Sequence, residues 1–200
     1  MSTKDLPEYA QAVVIGGGII GCSVAYHLAE MGCREVVLLE RDQLTSGTTW
    51  HAAGLMTSFG SGSETTLSIR QHSMQLYKRL EQETGQQTGF KPVGFIEVAA
   101  DADRMEEYRR IAAFNRLHGI DIHELSPGEV KNLFPFANVD DISGGFYAEH
   151  DGRINPVDVT MALAKGARMK GVQIFQGTPV TGVLSRNGTV TGVRTARGEI

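Results

Sequence analysis

Gly16-Gly17-Gly18-Ile19-Ile20-Gly21 follows the apolar run Ala12-Val13-Val14-Ile15 with no spacer. Four glycines in six residues, directly after a buried strand, leave few folds open. The apolar run reads as a strand covered on both faces. Val24, Ala25 and Leu28 then fall on one face of a helix, and Gly32 is placed to stop it. Val36-Val37-Leu38-Leu39 reads as a second buried strand and ends in Glu40. In this order Gly16 permits a tight turn, Gly18 lets the backbone approach a pyrophosphate, and Gly21 lets the helix lie against the strand. The N–H groups around Ile19 and Ile20 sit at the positive end of the helix dipole, where they can bind an anion. Glu40 stands nineteen residues past Gly21, where an acid accepts hydrogen bonds from a ribose. The reading is an α/β, Rossmann-like dinucleotide-binding unit. The acid disfavours a phosphorylated ribose and hence NADP; FAD and NAD both stay open on this motif.

Composition removes other classes. The 19 basic and 23 acidic residues leave a net charge of -4 without any run of like charge. That points away from nucleic acid and from a polybasic membrane contact. Two cysteines, Cys22 and Cys33, make neither a disulfide framework nor a zinc site, and they fit a reducing compartment. His27 and His118 have no partner at metal-ligand spacing, so surface or capping roles are expected and no metal site. No apolar stretch is long enough to cross a bilayer. The first eight residues lack a signal-peptide core and carry acids that a transit peptide avoids. The expected location is the cytoplasm, or the mitochondrial matrix for a mature form whose transit peptide has been removed.

After Glu40 an NAD-binding domain would continue into a second crossover helix. This chain gives Arg41-Asp42-Gln43-Leu44-Thr45 and then Ser46-Gly47-Thr48-Thr49-Trp50-His51-Ala52-Ala53-Gly54-Leu55. So small and hydroxylated a segment can run close against a ligand; on composition alone it equally suits a surface loop. It resembles the flavin-attachment segment of the sarcosine and dimethylglycine dehydrogenases, FAD enzymes of the D-amino-acid-oxidase-like class. The resemblance continues through Leu80-Glu81-Gln82-Glu83-Thr84-Gly85, Leu125-Ser126-Pro127, Leu133-Phe134-Pro135, Asn138-Val139-Asp140-Asp141 and His150-Asp151-Gly152, so it covers nearly the whole chain. It implies FAD as cofactor. It also implies that His51 carries the flavin covalently, that Glu40 binds the adenosine ribose with Arg41 beside it, that the segment from Ser46 to Leu55 lines the cofactor, and that Val180 offers a backbone contact to the adenine.

Further along, Leu67 to Glu83 reads as an amphipathic helix with Ile69, Leu76 and Leu80 on its buried face and Gly85 as its stop. Gly94 to Ala99 reads as a strand and Asp103 to Leu117 as a helix. Ser126-Pro127-Gly128-Glu129 has the form of a capping box with proline at the first helical position. Asn155-Pro156 opens another helix, and Val172 to Phe175 is a buried strand that returns to the Rossmann-like sheet. Asn187-Gly188 marks a hairpin turn between two β-branched runs. Met56 and Phe59 read as core, and adjacent His150 and Asp151 are expected to point apart. The organisation expected is an FAD-binding part over 1–59, an inserted α+β unit on the substrate side over 60–150, and a second, incomplete FAD-binding part over 151–200. Arg197-Gly198 reads as a further turn just before the end, so the chain is read as an N-terminal piece, truncated at its C-terminus and inactive alone.

The resemblance implies oxidation of an N-methyl amine such as sarcosine or dimethylglycine by hydride transfer to flavin, with demethylation. It leaves oxygen and an electron-transfer flavoprotein as acceptors and allows a downstream domain that binds tetrahydrofolate. The catalytic residues are expected mostly beyond Ile200. Two alternatives stand beside it: a non-catalytic regulatory subunit of a phosphatase built on the same fold, and an FAD oxidase of another amino acid. An NAD-dependent dehydrogenase is disfavoured by the missing second crossover.

Overall fold

A computed structural model describes residues 5–200. Strand β1 (Ala12–Ile15), helix α1 (Ile19–Glu30) and strand β2 (Val36–Leu39) come first, followed by β3 (Leu55–Met56) and the long helix α2 (Glu64–Thr84). Next are β4 (Phe95–Ala99), α3 (Ala102–Leu117), β5 (His123–Leu125), α4 (Pro127–Leu133), β6 (Gly144–Ala148) and β7 (Gly152–Arg153). The chain closes with α5 (Pro156–Met169), β8 (Gln173–Phe175), β9 (Val180–Arg186), β10 (Thr189–Thr195) and β11 (Gly198–Glu199). It divides into two compact units. The first takes the residues up to Ala53, Arg79–Thr88 and Asn155–Ile200; the second takes Gly54–Lys78 and Gly89–Ile154.

In the first unit β2 lies between β1 and β8, all parallel. All four residues of β2 are buried, as a central strand with a continuous apolar run requires. Helix α1 crosses from β1 to β2. Its approach to β1 is set by Gly21, where an added Cβ would lie 1.9 Å from the Gly16 carbonyl oxygen. Gly16 has φ +108° and Gly32, just past the helix, φ +87°, so both occupy the conformations glycine is needed for. Helix α5 is capped by Asn155, whose side chain accepts from the Val157 and Asp158 amides. Tyr26 of α1 is fully buried. Its hydroxyl donates to Glu83 at 2.8 Å, and its ring leaves room only for glycine at Gly166 of α5, where a Cβ would sit 2.8 Å away. Burial, reinforced by the Glu83 hydrogen bond, pushes the Tyr26 phenol up to about 12. These contacts explain why residues 79–88 belong to the first unit although the sequence grouped them with the insertion. The β9–β10 hairpin turns through Asn187 and Gly188, both at positive φ, the backbone of a type I′ turn. Two residues of β11 extend the meander.

The second unit is an antiparallel sheet, β4-β6-β5, with a two-stranded pair of β3 and β7 beside it in sequence. Its core gathers Phe59, Met105, Ala112, Ile122, Phe146 and Ala148. Phe59 stacks on Phe146 at 5.6 Å, and Tyr108 meets Phe59 edge-on at 5.4 Å. Met56 is buried as well. Both halves of the capping box expected at Ser126 and Glu129 are formed. One expectation fails: Ile69 is 62% exposed. Successive residues advance ~100° around a helix, so Leu67 and Met74 share one face of α2 while Leu76, Leu80 and Ile69 share the other. The buried face switches along the helix, and Ile69 precedes the stretch where its own face is covered. The two-residue strands β3 and β7 carry too little pattern to be read from sequence. Among the described residues no helix is long and apolar enough to cross a membrane.

Gly21→Ala in the full-length protein should cost about 2 kcal/mol or more, because backbone has to move. Gly182→Ala, where a Cβ meets nothing within 4 Å, should change stability by no more than ~0.5 kcal/mol. Equal melting temperatures for the two variants would show that the close approach at Gly21 is not required.

Candidate functional site

The carboxyl ends of β1 and β2 open into a cleft of about 770 Å³, the place where open parallel sheets hold ligands. Its floor is the glycine turn. The Gly16 N–H donates to the Leu39 carbonyl at 2.8 Å, which ties the turn to β2. Gly17 is missing from the sequence-derived site but has its own reason to be glycine: a Cβ there would lie 2.5 Å from the Leu44 side chain and 2.9 Å from that of Glu40.

Glu40 is 8% exposed. One carboxylate oxygen accepts from the Gly17 N–H at 2.6 Å and the other from the Asp42 N–H at 2.8 Å. Its backbone is held as firmly, its N–H donating to Phe175 O and its carbonyl accepting from Thr178, each at 2.8 Å. The carboxylate therefore organises the turn itself. Each oxygen keeps a second lone pair for a ligand hydroxyl.

Helix α1 begins at Ile19 without local capping. Its N-cap residue, Gly18, has no side chain, and the first helical turn holds no acid. The positive end of the dipole is thus left uncompensated by its own residues. The Ile19 N–H, expected to face the ligand, donates instead to Thr49 Oγ1 at 3.0 Å. Arg41 lines the cleft as well; its guanidinium pairs with Asp42 at 3.4 Å on the open surface, a contact of small energetic weight. Under the turn, the buried Cys22 thiol donates to the Gly17 carbonyl at 3.7 Å. Burial above all pushes this thiol up to about 12, so it stays protonated and is no nucleophile.

Of the residues singled out from sequence, Gly16, Gly18, Ile19, Ile20, Gly21, Glu40, Arg41, Ser46, Gly47, Thr48, Thr49, Ala52 and Val180 all line the cleft. Trp50 and His51 do not. They lie in the short 3-10 turn Thr48–His51, exposed, with their rings 3.8 Å apart. His51 Nδ1 donates to the Gly47 carbonyl at 3.2 Å; a carbonyl only accepts, so the proton is on Nδ1 and the Nε2 lone pair is left outward. Ala53 closes its stretch of the first unit, and Gly54 and Leu55 belong to the second. Sequence reading missed Val24, Leu39 and Pro179 as cleft walls; the proline beside Val180 was the available signal.

The second unit has its own smaller cleft of about 280 Å³, with Lys78, His150 and Asp151 among its walls. Asp151 is buried and accepts from the Ser58 N–H and hydroxyl at 2.8 and 2.6 Å. Burial raises its pKa against the opposing pull of these bonds and of Arg70. Its partner is Ser58, while His150 stands exposed.

A protein-family model described as FAD dependent oxidoreductase matches residues 11–200. Mitochondrial sarcosine dehydrogenase of Homo sapiens is 42% identical over 182 residues, which is 90% of this chain and 20% of that protein. Mitochondrial dimethylglycine dehydrogenase of Rattus norvegicus is 42% identical over 199 residues, 100% of this chain and 23% of that protein. The mitochondrial pyruvate dehydrogenase phosphatase regulatory subunit of Mus musculus is 42% identical over 195 residues, 98% and 22% of the two chains. The chain thus spans about a fifth of the length of these curated relatives. Among solved structures, L-proline dehydrogenase from P. horikoshii has a TM-score of 0.90 at 27% identity, over 98% of this chain and 51% of that one.

Glu40→Gln keeps the shape of the side chain but turns one acceptor into a donor that faces a backbone N–H. Without any ligand it should destabilise the first unit by roughly 1–3 kcal/mol, the usual cost of an orphaned buried donor. Denaturant titration of the apoprotein measures this; a midpoint unchanged from wild type would mean the carboxylate does not hold the turn.

Proposed function

Since the chain belongs to the FAD dependent oxidoreductase family and has the fold of the D-amino-acid-oxidase-like class, we propose that its glycine cleft holds FAD and that the whole protein oxidises a secondary or tertiary N-methyl amine of the sarcosine or dimethylglycine kind. The observation that carries this reading is the junction of two features: Ser46, Gly47, Thr48, Thr49 and Ala52 form a wall of the glycine cleft, and the same segment carries, exposed beside that wall, the Trp50-His51 pair that resembles the attachment segment of those dehydrogenases. The residues fit the group. The cleft has the backbone curvature for a pyrophosphate at Gly16 to Gly21, an uncompensated helix N-terminus, and a buried acid with free lone pairs for a ribose. In this reading Glu40 holds the ribose, the Val180 backbone faces the adenine, and the 46–55 segment runs toward the flavin ring.

Bound FAD supplies a hydride acceptor that no side chain offers, so that an N-methyl C–H bond can become an iminium, which water hydrolyses to formaldehyde and the demethylated amine or whose one-carbon unit passes to tetrahydrofolate. The protein's part is to fix the cofactor and the amine. His51 holds the flavin covalently through Nε2, the nitrogen that the Gly47 hydrogen bond leaves unprotonated; a neutral imidazole is a competent nucleophile near neutral pH. The ultimate acceptor is oxygen or an electron-transfer flavoprotein, and the compartment is the cytoplasm or the mitochondrial matrix.

The 42% identity to a phosphatase regulatory subunit favours a second reading, in which the fold serves as a scaffold without turnover. The intact glycine turn, Glu40 and His51 support the enzyme. Adding sarcosine or dimethylglycine anaerobically to the full-length protein should bleach the flavin absorbance. A bound flavin that neither amine reduces would favour the scaffold or an oxidase of another amino acid.

Acid-precipitated and washed full-length protein should leave a yellow, fluorescent pellet. His51→Ala should release its flavin to the supernatant while still binding FAD, and should oxidise the amine more slowly. Wild-type flavin that washes away completely would remove His51 as the attachment residue.

A further inference from the structure

We propose that Thr49 is a positioning residue for flavin attachment: it ties the segment that carries His51 to the N-terminus of α1. The inference rests on the reading of His51 as the attachment residue.

Helix α1 lacks a cap of its own, and an uncapped first turn leaves amide donors in need of partners. Thr49, thirty residues downstream, supplies one, accepting from the Ile19 N–H at 3.0 Å. Thr49 is only 8% exposed, whereas Trp50 beside it is 57% exposed, so the threonine is the inward anchor of an outward turn. The bonds around it form a continuous brace. The Thr49 carbonyl accepts from the Ala52 N–H at 3.2 Å, and the Gly47 carbonyl accepts from His51 Nδ1 at 3.2 Å. The imidazole is thereby tied to Gly47, two residues before the threonine that is itself bonded to the helix, and the backbone just after it is tied back to that threonine.

Gly18 gains a second reason to be glycine, since a Cβ there would lie 3.0 Å from Thr49 Oγ1. The brace also passes through the same turn that Glu40 holds by the Gly17 N–H. The segment bearing His51 is therefore referenced to the element that seats the cofactor's phosphates, and its place does not depend on the loop alone.

Attachment bonds His51 Nε2 to the 8α-methyl carbon of the flavin. Two hydrogens leave, one from that methyl and one from the imidazole, and with their two electrons they reduce dioxygen to hydrogen peroxide. Such a step is sensitive to placement, since an error of ~1 Å costs on the order of a hundredfold in rate. Removing the Thr49 hydroxyl frees the turn while leaving the nucleophile in the chain.

The test follows covalent flavin over time after FAD is added to full-length apoprotein, with peptide mass mapping to locate the bond. Thr49→Val, which keeps the shape and loses the acceptor, should slow incorporation roughly tenfold or more. Thr49→Ser, which keeps the hydroxyl, should incorporate within about twofold of wild type. Incorporation is measured at saturating FAD, and non-covalent affinity is read separately in His51→Ala and in the His51→Ala, Thr49→Val double variant, because Thr49 also lines the cleft. If Thr49→Val incorporates flavin on His51 at the wild-type rate, the proposal is overturned and the His51 reading survives. If mapping finds no flavin on His51 in wild type, both fall. A double variant that binds no FAD where His51→Ala does would make Thr49 part of the general fold of the cleft and overturn its positioning role.

Discussion

Everything in the first unit depends on a contact between two stretches of backbone: helix α1 lies so close to the end of β1 that the Gly16 carbonyl occupies the space where a side chain at Gly21 would be. That approach aims the helix N-terminus at the space beyond β1 and β2. It also leaves the first helical turn without a local cap, because the residue before it must be glycine as well. The positive end of the helix dipole at the mouth of the cleft is then a consequence of packing, and the anion site we propose there would come with it.

The cleft gets little of its character from charged side chains. Arg41 pairs with Asp42 at the surface, and Glu40 spends its carboxylate on two backbone amides. In the function we propose, attraction for a pyrophosphate would therefore come from oriented peptide dipoles, as suits a chain with a net charge of -4. A carboxylate buried among amide donors is stabilised there without a cation, and the same geometry keeps the turn in shape before a ligand arrives. Tyr26 plays the matching part on the other side of α1, with its ring against Gly166 and its hydroxyl on Glu83.

The second unit is held by a different kind of contact, the aromatic group of Phe59, Tyr108 and Phe146 under its antiparallel sheet. Its buried Asp151 is engaged by Ser58, so its polar interior is structural on the same terms as Glu40 in the first. The family to which the chain belongs agrees with the glycine turn and cleft of the first unit.

Much of this could be read from residues in order. The glycine turn, its two strands, the acid at Glu40, the capped starts of α4 and α5 and the Asn187-Gly188 turn are local features, and local backbone preferences decide them. The side of α2 that is buried at Ile69, the grouping of residues 79–88 with the first unit, and the short strands β3 and β7 were not legible, because each depends on which surface arrives opposite. The site divides in the same way. The sequence by itself determined that an anion could be seated at Gly16 to Gly21 and that His51 stands in an attachment-like segment. Only the tertiary structure decided that Glu40 braces the turn through the Gly17 amide and that Thr49 takes the Ile19 amide, since hydrogen bonds between residues tens of positions apart have no signature along the chain.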